Sequence, residues 1–256
     1  MAEPSTPLPA ATILMLRDGE AGLEVFMVVR HHQIDFASGA LVFPGGKVDE
    51  GDAAVRHRCR GVDEADDVTV SLQAGAIREA FEECGILLAR KLGSDSLIDG
   101  TTLAALEHYR EKLHQNEISL TEFLEAEDLE LACDLLQPYA HWITPPMMPK
   151  RFDTWFYLAV APEDHLAVHD GTESVDSIWI SPREALAGAE SGKYTVIFPT
   201  LRNVEMLADS DSVADAMQAA ANRNIVSVLP WIEQRDDGNY LCIPTEAGYR
   251  VSEEKM

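Results

Sequence analysis

The stretch Arg78-Glu79-Ala80-Phe81-Glu82-Glu83-Cys84-Gly85-Ile86, with the turn Phe43-Pro44-Gly45-Gly46 ahead of it, constrains this chain more than any other feature. At roughly 100° per residue, a helix gathers Ile77, Phe81, Cys84 and Leu88 on one face and Glu79, Glu82 and Glu83 on the opposite one. The apolar face is expected to anchor the helix, and the acidic face is left for chemistry. Carboxylates three and four residues apart repel one another by a few tenths of a kcal/mol per pair unless a cation sits among them. Hard divalent cations take oxygen ligands of this kind. Taken alone, the triplet reads first as an acidic, solvated helix face held by Arg78.

The wider pattern resembles the Nudix hydrolase signature, in which a Gly, five residues and an acid precede Arg-Glu-apolar-x-Glu-Glu-x-Gly-apolar. The second half runs from Arg78 to Ile86, with the small Ala80 at its apolar position. Gly46 and Asp52 supply the first half, with Asp where the family usually has Glu. Between Asp52 and Arg78 stand 25 residues, where the family's common form has a much shorter spacer. An insertion near 53–70 therefore interrupts the motif and leaves the role of Asp52 open. The resemblance implies an α/β fold, a Nudix-type α/β/α sandwich with a mixed sheet, and a second insert near 94–139 that reads as a helical subdomain. The whole of 1–256 is expected to form one such domain.

Composition narrows the partners. A net charge of −24 argues against nucleic acid, because phosphate backbones are held by basic patches. It also obstructs any phosphate-bearing small molecule unless a bound metal reverses the sign locally. No apolar run is long enough to span a bilayer, so no membrane partner is expected. The first twenty residues lack a basic region followed by an apolar one, and the cytoplasm is the default compartment. Cys59, Cys84, Cys133 and Cys242 are scattered without a C-x-x-C pair and read as packing residues.

Along the chain, Ala11 to Arg17 and Leu23 to Arg30 read as a hairpin, and Leu41 to Phe43 as a short strand entering the glycine turn. The acidic helix is predicted from near Ser71 to about Arg90, ended by Gly93. The mixed basic and acidic segment from Asp52 to Ala76 reads as solvated loop and short helix. Phe152 to Val160 and Val175 to Ile180 read as strands. Ser181, Pro182 and Glu184 carry a capping box for the next helix. One long amphipathic helix is expected from Pro199 to Arg223, then a strand pair within Ile225 to Tyr249.

Gly39 and Phe43 to Gly46 are similar to the segment that precedes the box in coenzyme A diphosphatases of the family. The helical insert and the run Trp142-Ile143-Thr144-Pro145 to Lys150-Arg151-Phe152 resemble the branch whose peroxisomal members cleave coenzyme A and its thioesters. The ending Glu253-Glu254-Lys255-Met256 is not a peroxisomal address. The resemblance implies metal-dependent hydrolysis of a diphosphate bond in a small nucleotide-containing substrate. Glu82, Glu83 and a carbonyl of Gly45 or Gly46 would ligate Mg²⁺ or Mn²⁺. Glu79 would be a further ligand or the base, and Arg78 would orient a carboxylate. Glu173 is the candidate remote metal ligand by position, with Asp170 and Asp176 competing. Arg30, Lys150 and Arg151 are candidate substrate contacts, while His141 and Trp142 read more readily as core than as pocket. ADP-ribose, NADH or a dinucleoside polyphosphate are alternative substrates, and a non-catalytic nucleotide-binding module is the other class. Nudix proteins are often dimers, so a homodimer is the assembly the resemblance suggests.

Overall fold

A computed structural model describes residues 5–30, 40–165 and 174–256. Strand β1 (Leu8–Gly19) alternates two fully buried apolar sets, Ile13 and Met15 on one face and Leu14 and Leu16 on the other. A strand buried on both faces must be covered by two layers. Ile13 and Met15 lie in one apolar core and Leu14 and Leu16 in another, one on each side of a single eight-stranded sheet. β2 (Gly22–Arg30) returns antiparallel in the expected hairpin. β3 (Leu41–Val42) extends β2, and β4 (Gly45–Lys47) pairs with the first half of β1, with Ala11 opposite Gly46. The glycine turn is thus fixed to the central strand.

Helix α1 (Asp67–Cys84) packs on the Ile13 and Met15 side. It starts four residues earlier than the pattern predicts, because the Asp66 carboxylate caps it by accepting from the Thr69 N–H at 2.8 Å. It also ends earlier. Gly85, not Gly93, closes it in the left-handed region at φ 68°, and its N–H donates back to Phe81. Leu88 is buried but outside the helix, and β5 (Ala89–Lys91) follows, pairing with β6 (Leu129–Leu131).

Between those two strands lie α2 (Gly100–Leu106), α3 (Arg110–His114) and α4 (Leu120–Ala126). The insert is therefore helical only in its middle. It is pinned to α1 by aromatic packing: Phe123 stacks on Phe81 with centroids 5.6 Å apart, and Tyr109 tilts against Phe123 at 4.8 Å. A buried ring of this size contributes about 1.5–3 kcal/mol by burial alone.

β7 (Gln137–Ile143) runs antiparallel to β8 (Phe152–Val160), and β8 runs parallel to β1, which makes the sheet mixed. β9 (Ser174–Ile180) pairs with β2. α5 (Pro182–Glu190) opens with the predicted capping box from Ser181 and Glu184. The single helix expected beyond Pro199 is two, α6 (Phe198–Leu207) and α7 (Val213–Ala221), because Ser212 caps a new start by accepting from the Asp215 N–H. β10 (Ser227–Val228) joins the edge of the main sheet beside β7. The expected terminal strand pair is a separate three-stranded sheet of β11 (Trp231–Arg235), β12 (Gly238–Cys242) and β13 (Glu253–Lys255). Among the described residues, no helix is long and apolar enough to cross a membrane.

Candidate active site

α1 lies over the glycine turn, and two close approaches fix how it sits. A Cβ on Gly46 would come within 2.6 Å of the Glu79 carboxylate, and one on Gly75 within 2.7 Å of Asp52 Oδ2. Any side chain at either point would push one of these carboxylates out of its place. The Gly45 N–H donates to Glu83 Oε2 at 2.9 Å, so the turn is bonded to the acidic helix as well as packed on it.

Arg78 sits at the centre, buried to 6% exposure. Its Nε and Nη2 donate to the two oxygens of Asp52 at 2.9 and 3.1 Å, and Nη2 also donates to the Lys47 carbonyl at 2.9 Å. Nη1 donates to Glu79 Oε1 at 3.0 Å and to Glu82 Oε1 at 3.1 Å. All five N–H donors are engaged, a fork that an ammonium cannot reproduce. Burial works against the Arg78 charge, but the Asp52 hydrogen bond and the attraction of Glu79, Asp52 and Glu82 outweigh it and hold the group protonated.

The position of Asp52 corrects the reading of the 52–76 segment as solvated loop. Asp52 is 1% exposed, and its Oδ2 also accepts from the Asp49 N–H at 2.8 Å. The inserted residues that follow bury Val55 and Val62 in the core, and the acid at their start stays against Arg78. Burial raises the Asp52 pKa above its ordinary value despite the guanidinium. Burial likewise raises that of Glu82, outweighing both Arg78 and His114. The cluster holds more carboxylate than its one guanidinium neutralises, since Asp49 stands 3.7 Å from Arg78 and Glu83 lies alongside. That surplus of hard oxygen donors in a desolvated place suits a divalent cation. Among the described residues no three acidic, histidine or cysteine side chains already stand as a ready metal cage. Arg78 occupies one oxygen each of Glu79 and Glu82.

The sequence reading missed the contribution of α3. Arg110 donates from Nε and Nη2 to the Glu82 carbonyl at 3.2 and 3.1 Å, and His114 Nδ1 lies 3.8 Å from Glu82 Oε2. The i, i+4 spacing of Arg110 and His114 puts both on one helix face, a signal present in the sequence.

Glu79, Glu82, Arg78 and His114 open onto a cavity of about 990 Å³. Lys47 and Lys150 also line it, and Lys150 Nζ lies 5.5 Å from the Phe152 ring centroid. Trp142, read from sequence as core, lines it too. Its indole N–H donates to the Tyr249 hydroxyl at 2.8 Å, which in turn donates to Asn203 Oδ1 at 2.8 Å. Arg151 does not reach the cavity. Its guanidinium is turned to main chain, donating to the Thr144 and Ser5 carbonyls at 2.9 and 2.6 Å, and it ties β8 to the chain before β1. His141 faces Asp153 and Ser227. Asp176 lies in β9 opposite Val29, and its carboxylate accepts from the Ser177 N–H. Glu173, Asp170, Gly39 and the side chain of Arg30 lie outside the described residues.

A family model described as the NUDT19 Nudix domain matches residues 60–207. A Nudix hydrolase from Alicyclobacillus acidocaldarius, known from its crystal structure, is 30% identical and superposes with a TM-score of 0.70 over 84% of this chain and 96% of its own. The chain is 27% identical to putative nudix hydrolase 7 of Caenorhabditis elegans over 72% of its length, and 28% identical to the acyl-coenzyme A diphosphatase NUDT19 of Homo sapiens over 64%. Those matches take in 55% and 46% of the two relatives, so the chain spans about half the length of each.

Proposed function

The chain belongs to the Nudix hydrolases, and from that premise we propose that it hydrolyses the diphosphate bond of coenzyme A or of an acyl-coenzyme A. Water adds across the P–O–P link: a new P–O bond forms at one phosphorus and the bridging bond to the other breaks. The products are 3′,5′-ADP and phosphopantetheine, free or acylated. The observation that carries the diphosphatase reading is the buried surplus of carboxylates around Arg78 at one end of a large cavity. The choice of coenzyme A leans on the similarity to the human acyl-coenzyme A diphosphatase.

Mg²⁺ or Mn²⁺ would be held by Glu82 and Glu83, with Glu79 and the Gly46 carbonyl beside them. Lewis-acid polarisation of the diphosphate oxygens is the chemistry such an ion supplies. Arg78 fixes the rotamers of Glu79 and Glu82 from behind, so both carboxylates are in position before substrate arrives. Of the acids that accept a hydrogen bond from Arg78, Glu79 is the most exposed, its side chain 15% accessible against 4% for Glu82 and 1% for Asp52. That exposure favours Glu79 as the group that takes the proton of the attacking water. Lys47 and Lys150 bring positive charge to the cavity wall and offset the repulsion between an acidic protein and an anionic substrate.

A panel of coenzyme A, acetyl-coenzyme A, NADH, ADP-ribose and a dinucleoside polyphosphate, each with Mg²⁺ or Mn²⁺ and with products separated by chromatography, tests the proposal. Release of 3′,5′-ADP from coenzyme A faster than cleavage of the others is expected. Faster cleavage of another member overturns the substrate assignment, and turnover of none overturns the enzyme reading.

A further inference from the structure

Four of the residues that line the cavity, Pro230, Ile232, Leu241 and Met256, lie beyond the 60–207 span that the family model matches. Ile232 of β11 stands opposite Leu241 of β12, and Leu241 stands opposite Glu254 of β13. Directly opposed residues share a face of a sheet. Glu254 Oε2 is 3.9 Å from Arg202 Nη2, which ties that same face to α6. Ile232 and Leu241 line the cavity, joined by Met256, whose N–H continues the ladder to the Asn239 carbonyl. Met147 and Met148, between β7 and β8, line it as well.

Four of these side chains are left partly in water. Ile232 is 40% exposed, Met148 38%, Met147 51% and Met256 71%. Single exposed apolar residues are ordinary, but several converging on one cavity mark a surface that something apolar covers. Three of the four are methionines, whose unbranched, polarisable side chains adapt to ligands of varying length. The cavity is continuous from these residues to Glu79 and Glu82, and its volume stands at the upper end of the roughly 300–1,000 Å³ usual for small-molecule sites. A substrate whose diphosphate lies at the acidic end therefore has room to carry an apolar group into the other.

Building on the coenzyme A reading above, we propose that the C-terminal sheet and the Met147–Met148 segment form a subsite for an aliphatic acyl chain, with Ile232 and Leu241 determining chain-length preference. The occupant is the chain of the molecule being cleaved, held by burial without directional bonds. Catalytic efficiency should then rise with chain length while methylenes continue to enter the subsite.

The test measures kcat/KM with Mn²⁺ for free, acetyl-, octanoyl- and dodecanoyl-coenzyme A in the wild type, Ile232→Asp, Leu241→Asn and the conservative Ile232→Leu, with thermal unfolding as the check on folding. Each buried methylene favours binding by a few fold, so the octanoyl to acetyl ratio should be about ten or more in the wild type. That ratio should fall towards one in Ile232→Asp and in Leu241→Asn, and be kept in Ile232→Leu. Should one polar variant fail to fold, the other carries the comparison. A wild-type ratio of one or below overturns the subsite, and so does a ratio that survives in a folded polar variant. Cleavage of free coenzyme A without chain dependence sinks this inference alone. Cleavage of some other diphosphate with no coenzyme A compound turned over removes the underlying reading as well.

Discussion

At the α1 end of the cavity, Arg78 uses every donor, Glu82 is almost wholly buried, and glycines at 46 and 75 remove the side chains that would keep the parts apart. At the other end, Ile232 of β11, Met256 just after β13, and Met147 and Met148 between β7 and β8 lie partly in water. The first region is held by directional bonds among charged groups, whose strength depends on angle and distance. The second is shaped by area alone, which tolerates change. Rigid chemistry at one end and, on the subsite proposed above, permissive recognition at the other would suit an enzyme that breaks one kind of bond in molecules of varied length.

The comparison breaks first if the charged end proves tolerant. Glu82→Gln should lower kcat by about a thousandfold, as expected when a charged group aimed at the reacting centre is removed, while circular dichroism stays that of a folded protein. A loss of less than about tenfold would contradict the role given to the cluster. Arg78→Ala comes next, leaving Asp52, Glu79 and Glu82 buried without their partner. It should destabilise the protein by about 3–5 kcal/mol, measured by denaturant unfolding. Combined with Asp52→Asn the loss should be clearly less than additive, because the two residues form one bidentate pair.

The wall shared by both ends gives a smaller effect. Tyr249→Phe strands the Trp142 indole N–H and Asn203 Oδ1, at a cost of about 1–3 kcal/mol. Ser181→Ala, remote from the cavity, removes one capping bond of α5 and should cost about 1 kcal/mol.

The pH dependence sharpens the contrast further. Burial raises the Glu82 pKa, so in metal-free protein its contribution to stability is fully present below the ordinary value of 4.5 and lost as pH rises through the raised one. Glu82→Gln should accordingly be the more stable protein at neutral pH without added metal, and lose that advantage on acidification. Thermal unfolding of both proteins across this range checks the sign.

The charged end was also the legible one. Arg78, Glu79, Glu82 and Glu83 fall within a single turn and a half, so spacing alone places them together. Asp52 was harder, because closing its loop onto Arg78 depends on a glycine 23 residues on that offers no side chain. The end of α1 was misjudged because Ile86 to Ala89 continues an apolar run that suits helix or strand, and only the left-handed Gly85 decides between them. The spacing of Arg110 and His114 shows that they share a helix face, but that this face meets Glu82 depends on Phe123 packing on Phe81 and Tyr109 on Phe123, a long-range register that no local pattern reports. Arg151 was misassigned for a similar reason: a cation at a strand start serves main-chain carbonyls as readily as substrate. The break between α6 and α7 was readable, since Ser212 and Asp215 are a cap signal inside an otherwise helical pattern.

The most direct test of the central claim is a calorimetric titration of Mn²⁺ into chelator-treated wild type and Glu82→Gln, with diphosphate cleavage followed at each metal concentration. Saturable binding by the wild type, activity that rises in step with it, and loss of both in Glu82→Gln are the predicted results. Cleavage that persists in chelator-treated wild type, or undiminished metal binding by Glu82→Gln, would contradict the claim that the carboxylates around Arg78 form the catalytic metal site.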